Sequence, residues 1–364
     1  MKQTICFFGI YDPVYSRNQV LAEGFRANGW KVLECRVDPK QFSGLKKYRR
    51  LFKLHRSLSV QPDLVLVAYP GQPVVWLARL LFPGSLIIFD AFTSLYDSNV
   101  FDRQLYSRFS PRAYRDWCLD WLGLHLADKI ITDTLADAKY FVRHFKVLAA
   151  KISRIFVGTT IKPDENLGPA PALSNIFLVH FHGTFIPLQG IATIIATAKL
   201  LEGEAEIKFR IIGSGQESAK IEALVAELKP TNIEFLPRMS FTDLVDKIKT
   251  ADLVLGIFGQ TDKATRVIPN KVFEALALGK PVLTADSPAA RELLTDQENV
   301  LFSKAGDSAD LAAKILWLKE NPVVRGKLSA GARALFNKQL NPKLLVAEFL
   351  VKLDNENRPH YSRT

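Results

Sequence analysis

In the segment Val267-Ile268-Pro269-Asn270-Lys271-Val272-Phe273-Glu274-Ala275-Leu276-Ala277-Leu278-Gly279-Lys280-Pro281 a lysine and a glutamate stand three positions apart, bracketed by a proline and a glycine. Pro269 suits the first position of a helix and Gly279 its exit, which predicts about three helical turns between two strands. On that helix Lys271 and Glu274 share a face. Ile268 is a poor cap, so the first backbone N–H groups, Asn270 among them, are open to an external anion. Lys271 places a positive charge where the helix dipole disfavours one unless a phosphate sits nearby. The plain alternative is a surface ion pair between Lys271 and Glu274, worth only a few tenths of a kcal/mol.

Two glycine turns follow apolar runs. Phe181-His182-Gly183-Thr184-Phe185-Ile186-Pro187-Leu188-Gln189-Gly190 leads into residues with helical spacing. There Gly183 and Thr184 would let a ligand approach the backbone, and the next helix start could hold phosphate oxygens. Ile211-Ile212-Gly213-Ser214-Gly215 lacks the third glycine and the acidic residue of a dinucleotide fingerprint, so NAD is not supported. Either segment also reads as an ordinary tight turn. In the first half, Tyr15, Arg17 and Asn18 follow the first apolar run, and Asp90 and Asp97 follow the fourth. Either carboxylate could orient a reacting hydroxyl or cap the next helix. His182, beside the glycine loop, is a further candidate, with packing as the plainer reading.

The elements that must position these groups repeat one pattern. Apolar runs fall at Ile5 to Gly9, Val32 to Val37, Leu64 to Ala68, Leu86 to Asp90, Ile130 to Thr132 and Ile155 to Val157. They recur at Ile176 to Phe181, Ile207 to Ile212, Ile233 to Leu236, Leu253 to Ile257, Val282 to Thr284 and Val300 to Phe302. Continuous runs without alternation are expected of parallel strands covered on both faces by helices. The fold class is therefore α/β, two doubly wound Rossmann-like domains facing each other across a cleft. The expected boundaries are 1–162, 163–342 and a C-terminal helix and tail, 343–364, crossing back to the first domain. Thr159 to Asn175 reads as an exposed linker and the polar residues after Asn355 as a mobile tail.

The chain has 364 residues, a natural length for two domains. Its net charge of +11 is unevenly spread: residues 1–162 hold 24 Lys/Arg against 13 Asp/Glu, and residues 163–364 hold 24 against 24. The excess implies an anionic partner for the first half. It peaks at Lys46, Lys47, Arg49, Arg50, Lys53 and Arg56, where Leu51, Phe52, Leu54 and Leu58 gather on one side of a helix. That pattern fits an interfacial helix drawn to anionic lipid, and equally an amphipathic helix packed on its own domain. No zinc, RRM or KH signature accompanies the charge, which argues against nucleic acid. No apolar run is long enough to span a membrane. Neither a leader nor an export signal is evident, and Cys6, Cys35 and Cys118 read as buried thiols of a reducing compartment, so the expected location is cytoplasmic, as a peripheral protein at the inner membrane face.

The segment at 267–281, together with Gly183-Thr184-Phe185-Ile186-Pro187, Ile257-Phe258-Gly259 and Ser287 to Glu292, resembles the donor domain of the family-4 retaining glycosyltransferases of the GT-B fold. The likeness covers most of residues 175–320. It implies transfer of a hexose-type sugar from a UDP- or GDP-sugar, with retention of configuration, to a glycan or lipid-linked acceptor in polysaccharide or glycolipid biosynthesis. It implies that Glu274 holds the ribose hydroxyls and that the loop around Arg238 lines the base. Where the family has a second glutamate this chain has Arg266, and its glycine-loop Arg and Lys are here Thr184 and Gln189. Lys271, with Arg266 or Lys263, must then neutralise the diphosphate as it departs. Tyr15, Arg17 and Asn18 lie on the acceptor side, and many relatives carry a His in the region of Asp90 and Asp97. No tightly bound cofactor or metal is implied, the nucleotide sugar being a substrate. The rival readings are a nucleotide-sugar epimerase and a non-catalytic, membrane-associated nucleotide-sugar binding protein.

Overall fold

The computed structural model describes residues 3–163 and 175–357. Most of the expected linker lies outside the described residues, as does the tail beyond Asn357, up to which the last helix runs. The chain divides into two compact units. The first is Met1–Val100, Leu105–Thr160 and Gln339–Thr364; the second is Phe101–Gln104 and Ile161–Lys338.

The first unit runs β1 (Thr4–Ile10), α1 (Ser16–Ala27), β2 (Lys31–Val37), α2 (Lys46–Arg56), β3 (Leu64–Val67), α3 (Val75–Leu81), β4 (Leu86–Asp90), α4 (Pro111–Leu126), β5 (Lys129–Thr132), α5 (Leu135–Phe145) and β6 (Ile152–Arg154). Its sheet is parallel, in the order β2-β1-β3-β4-β5-β6. β3 is buried along its whole length, as continuous Leu/Val runs require. β6 differs from the expected Ile155 to Val157: the Ile155 N–H still bonds the Thr132 carbonyl, but Ile155, Phe156 and Val157 are buried beyond the strand rather than within it. Burial without a ladder partner mimics a strand in sequence.

The second unit runs β7 (Phe177–Thr184), α6 (Ile191–Leu200), β8 (Ile207–Ser214), α7 (Ser218–Leu228), β9 (Ile233–Leu236), α8 (Phe241–Lys249), β10 (Leu253–Leu255), α9 (Asn270–Ala277), β11 (Val282–Ala285), β12 (Leu301–Ser303), α10 (Ser308–Glu320) and α11 (Pro322–Gln339). Its parallel sheet has the order β12-β11-β10-β7-β8-β9. The order reverses between β7 and β10, and in open α/β sheets ligands bind at the carboxyl ends beside that reversal. After β12 and two helices the chain returns to the first unit as α12 (Pro342–Asn357), which packs on α1. The approach needs a glycine: a Cβ on Gly24 would lie 2.4 Å from the Pro342 carbonyl oxygen and from Val346.

α2 corrects one expectation. Leu51 is buried, and Tyr48, Leu54 and Leu58 pack with it against the core of the first unit. Phe52, one position and about 100° round the helix, is exposed instead of joining them. The apolar stripe is therefore consumed by the protein's own core and is not offered to lipid.

Candidate functional site

At the reversal of the second sheet, the connection leaving β7 and the connection leaving β10 are laced together by main-chain bonds. Phe258 N–H donates to Gln189 O at 3.0 Å and Gly259 N–H to Leu188 O at 3.2 Å. Gly190, at φ +67°, caps α6, and a Cβ there would lie 2.3 Å from the Phe258 carbonyl carbon; one on Gly259 would lie 2.5 Å from the Leu188 oxygen. These two glycines serve the close approach of the two connections. Gly213 serves another: its Cβ would fall 1.9 Å from the Gly183 oxygen, across the β7–β8 pair.

α9 enters this corner with Pro269 as its N-cap, so the helix begins one position later than expected. No side chain caps it, Asn270 opens it half-buried, and its eight residues make about two turns rather than three. Lys271 and Glu274 are both buried, at 3% and 5% exposure, and do not form the surface pair that spacing allowed. The Lys271 Nζ donates to Gln189 Oε1 at 2.5 Å and to Gly256 O at 3.4 Å, and lies 3.5 Å from the centre of the Phe181 ring. A Cβ on Gly183 would stand 3.1 Å from that nitrogen. Burial holds the ammonium well below its usual value, against the opposing attraction of Glu274. The hydrogen-bond partners of this buried nitrogen are thus neutral oxygens.

Glu274 Oε2 is 2.8 Å from His182 Nε2, and His182 Nδ1 is 3.0 Å from His180 Nε2. His182 is therefore a polar partner of Glu274 and not merely a packing residue. His180 has no exposed surface, and desolvation pushes it down to about 2, helped by His182, Arg210 and Lys271. Both histidines lie on one face of β7, two residues apart. In the sequence His182 is marked by its place beside the glycine loop; for His180 the period-2 repeat is the signal.

Arg238, expected at a base, reaches the carboxyl ends of β7 and β8: its Nη2 donates to Ser214 O at 2.8 Å and Thr184 Oγ1 at 3.2 Å. It is exposed at its own site, whereas Arg266 is buried and its Nε donates to Asp262 at 3.1 Å. The glycine loop is therefore met by Arg238 at Thr184 and by Lys271 at Gln189. These are the two positions whose own residues are uncharged.

The first unit treats its candidates differently. Arg17 and Asp90 are each fully buried, and the Arg17 Nη2 donates to Asp90 Oδ1 at 2.9 Å while its Nε bridges both carboxylate oxygens at 3.2 Å. The Arg17 Nη1 donates to the carbonyls of Ile155 and Phe156. Asp90 is thus corrected from a reacting group to half of an internal ion pair, and Arg17 from the acceptor side to its partner. Asn18 is also buried, donating to the carbonyls of Asp12 and Tyr69. Tyr15 alone of that trio is exposed, its ring packed beside Tyr69 and Phe92. Asp97 is 3% exposed at the start of the π-helix Asp97–Asp102. The loop before it is tied to α4, since Asp120 accepts from Ser94 Oγ and from the N–H groups of Leu95 and Tyr96. The sequence reading missed Asp120, which nothing but a helix position distinguishes. Among the described residues no group of three or more His, Cys, Asp or Glu is placed to hold a metal ion, and no helix is long and apolar enough to cross a membrane.

Comparison with known proteins bears on the fold and on the second unit. Residues 171–335 match the family model of glycosyl transferases group 1. An uncharacterized glycosyltransferase of Methanocaldococcus jannaschii, MJ1178, is 25% identical over 239 residues, 60% of this chain and 63% of its own length. The lipopolysaccharide core biosynthesis glycosyltransferase LpsD of Rhizobium meliloti is 25% identical over half of each chain. The match thus spans between half and under two thirds of these relatives. Among solved structures, HepE of Anabaena in complex with UDP and glucose superposes with a TM-score of 0.72 at 16% identity, covering 97% of this chain and all of that one. The two six-stranded parallel sheets are those of the GT-B fold.

Proposed function

We propose that this chain, a GT-B protein with a glycosyl transferases group 1 domain at residues 171–335, moves a hexose-type sugar from a UDP- or GDP-sugar to an acceptor with retention of configuration. The observation that carries the reading is the buried Lys271 ammonium beside the glycine loop, held by Gln189 and a main-chain oxygen and by no carboxylate. A cation taken out of water without a directly bonded counter-ion costs several kcal/mol, and a diphosphate arriving at that loop would supply one. Arg238, at the other side of the loop, adds a solvent-screened contribution. As the sugar leaves, negative charge grows on the diphosphate; Lys271 and the start of α9, which no side chain caps, would stabilise it. Glu274 is the acceptor for donor hydroxyl groups. The names of two similar proteins, one bound to UDP and glucose and one in lipopolysaccharide core biosynthesis, support a UDP-sugar donor and a lipid-linked acceptor.

Calorimetric titration with UDP, GDP and ADP tests the donor site. One nucleotide should bind saturably with a Kd in the micromolar range, about −8 kcal/mol, and its sugar conjugate should turn over when an acceptor extract is supplied. Absence of binding by all three nucleotides would sink the reading. Binding without turnover would leave a nucleotide-sugar binding protein.

The membrane part of the reading rests on the outer face of α2, where Lys46, Arg49, Arg50, Lys53 and Arg56 are exposed, Lys47 is half-buried and no acidic residue stands within the helix. With its apolar stripe consumed, attraction to anionic lipid is chiefly electrostatic, at about 1 kcal/mol per cation near the surface. Vesicles rich in phosphatidylserine should therefore co-sediment the protein at about 0.1 M salt and release it at about 0.5 M. Reversing Arg49, Arg50 and Lys53 to glutamate should abolish the effect, and salt-insensitive or absent sedimentation would remove the membrane from the proposal.

A further inference from the structure

We propose that His180 and His182 form a one-directional hydrogen-bond relay that fixes the Glu274 carboxylate and keeps its negative charge from being neutralised, so that both histidines are positioning residues for the donor site. The direction follows from counting protons. Each neutral imidazole has one N–H donor and one acceptor nitrogen. The contacts are His180 Nε2 to His182 Nδ1 at 3.0 Å and His182 Nε2 to Glu274 Oε2 at 2.8 Å. The remaining atom, His180 Nδ1, is buried with no partner.

Three assignments are possible. In the first, His180 Nε2–H donates to His182 Nδ1, and His182 Nε2–H donates to Glu274; the orphan atom is then a bare lone pair. In the second, His182 is an imidazolium donating from both nitrogens. His180 must then accept at Nε2 and carry its own proton on Nδ1, which strands a buried N–H. In the third, the proton is on Glu274, which donates to His182 Nε2 while His182 Nδ1–H donates to His180 Nε2; that too strands a buried N–H on His180 Nδ1. Orphaned buried N–H groups are rare because they forfeit a full hydrogen bond. The first assignment wins on that ground.

The charged neighbours act in the same direction. Packed around the pair are Arg210 on β8 and Lys271 and Glu274 on α9, while β10 contributes the apolar Leu253–Leu255. Two cations beside a fully buried His180 disfavour a further positive charge. A second proton on His182 would therefore force His180 into the tautomer that strands its buried Nδ1–H. Glu274 spends Oε2 on the relay, and Oε1 has no protein donor among the described residues. That oxygen, aimed by the relay and backed by an unneutralised charge, is the one presented to a ligand hydroxyl.

The role in ligand binding rests on the proposed donor site; the proton assignment does not, and the experiment separates the two. Long-range 15N spectra of the histidines in the full chain should show His180 and His182 as neutral Nε2–H tautomers at pH 7. An imidazolium or an Nδ1–H tautomer at His182 overturns the relay, whether or not any nucleotide binds. The functional arm uses the nucleotide that titrates the wild type, and reads the ratio of variant to wild-type affinity, which cancels titration of the phosphates. In His180→Phe the relay loses its first donor and His182 is free to protonate against Glu274. The ratio should then fall about tenfold between about pH 8 and about pH 6. His180→Gln, whose amide N–H can replace the Nε2 donor, should hold the ratio level. Equal pH behaviour of the two variants, or a ratio independent of pH in His180→Phe, overturns the positioning role.

Discussion

Replacing Lys271 with methionine is expected to weaken nucleoside diphosphate binding at least about tenfold while holding or raising the thermal midpoint. In the free protein the ammonium is buried with neutral oxygens as its hydrogen-bond partners, and its proton is correspondingly easy to lose. Methionine keeps most of the volume and the contact with Phe181 and removes the charge. The cost is the loss of a donor to Gln189 Oε1, about 1–2 kcal/mol, against relief of a burial penalty of several kcal/mol. Such a residue is kept for a ligand and not for stability. The pH dependence has a defined sign. Unfolded lysine titrates near 10.5 and the folded side chain well below it, so across that window the unfolded chain binds the extra proton and stability rises with pH, to be lost as pH falls towards the folded value. Diphosphate favours the charged form, so above the folded value binding takes up a proton and weakens as pH rises. Calorimetry in two buffers of different ionisation enthalpy reads that uptake, which Lys271→Met should abolish. Unchanged affinity together with a lowered midpoint would make Lys271 a structural residue and remove the principal support for the donor site.

The helix that carries Lys271 was legible because a proline and a glycine bracket it, and because residues three apart share a face. Its partners were not legible, since Gln189 and His182 stand 82 and 92 positions away along the chain. Chain spacing reports one helix face; which loop meets it is decided by the strand order, with β10 placed beside β7. The same limit misled the reading of the first unit. Charged residues at strand ends look reactive in sequence, and the 73 positions between Arg17 and Asp90 conceal that each neutralises the other. Strand positions fared better, because continuous apolar runs are demanded by burial on both faces. β4 and β9 have the expected bounds, and β6 failed where burial continued past the last ladder bond. On α2, Leu51, Leu54 and Leu58 set the buried stripe and Phe52 falls outside it, a distinction of one helical step.

Asp90→Asn should destabilise the first unit by about 3–5 kcal/mol, the usual cost of removing one partner from a buried ion pair, and leave nucleotide affinity of the folded protein unchanged. Arg17 has no exposed surface, so losing the carboxylate strands a guanidinium whose remaining acceptors are the carbonyls of Ile155 and Phe156. That guanidinium joins the carboxyl end of β4, the first turn of α1 and the chain leaving β6, so its misplacement should loosen all three. Hydrogen exchange should report the loss in α1 and β4 and spare the second unit, where the proposed donor site lies. Replacing both residues, Arg17→Met with Asp90→Leu, should recover part of the stability but not all of it, because the two carbonyls still lose their donor. Denaturant titration of the two single variants and the double variant gives the coupling directly. A structural pair predicts a large coupling and turnover that follows only the folded fraction. If Asp90→Asn instead keeps wild-type stability while sugar transfer stops, Asp90 is a reacting group, and its burial against Arg17 must open for an acceptor to reach it.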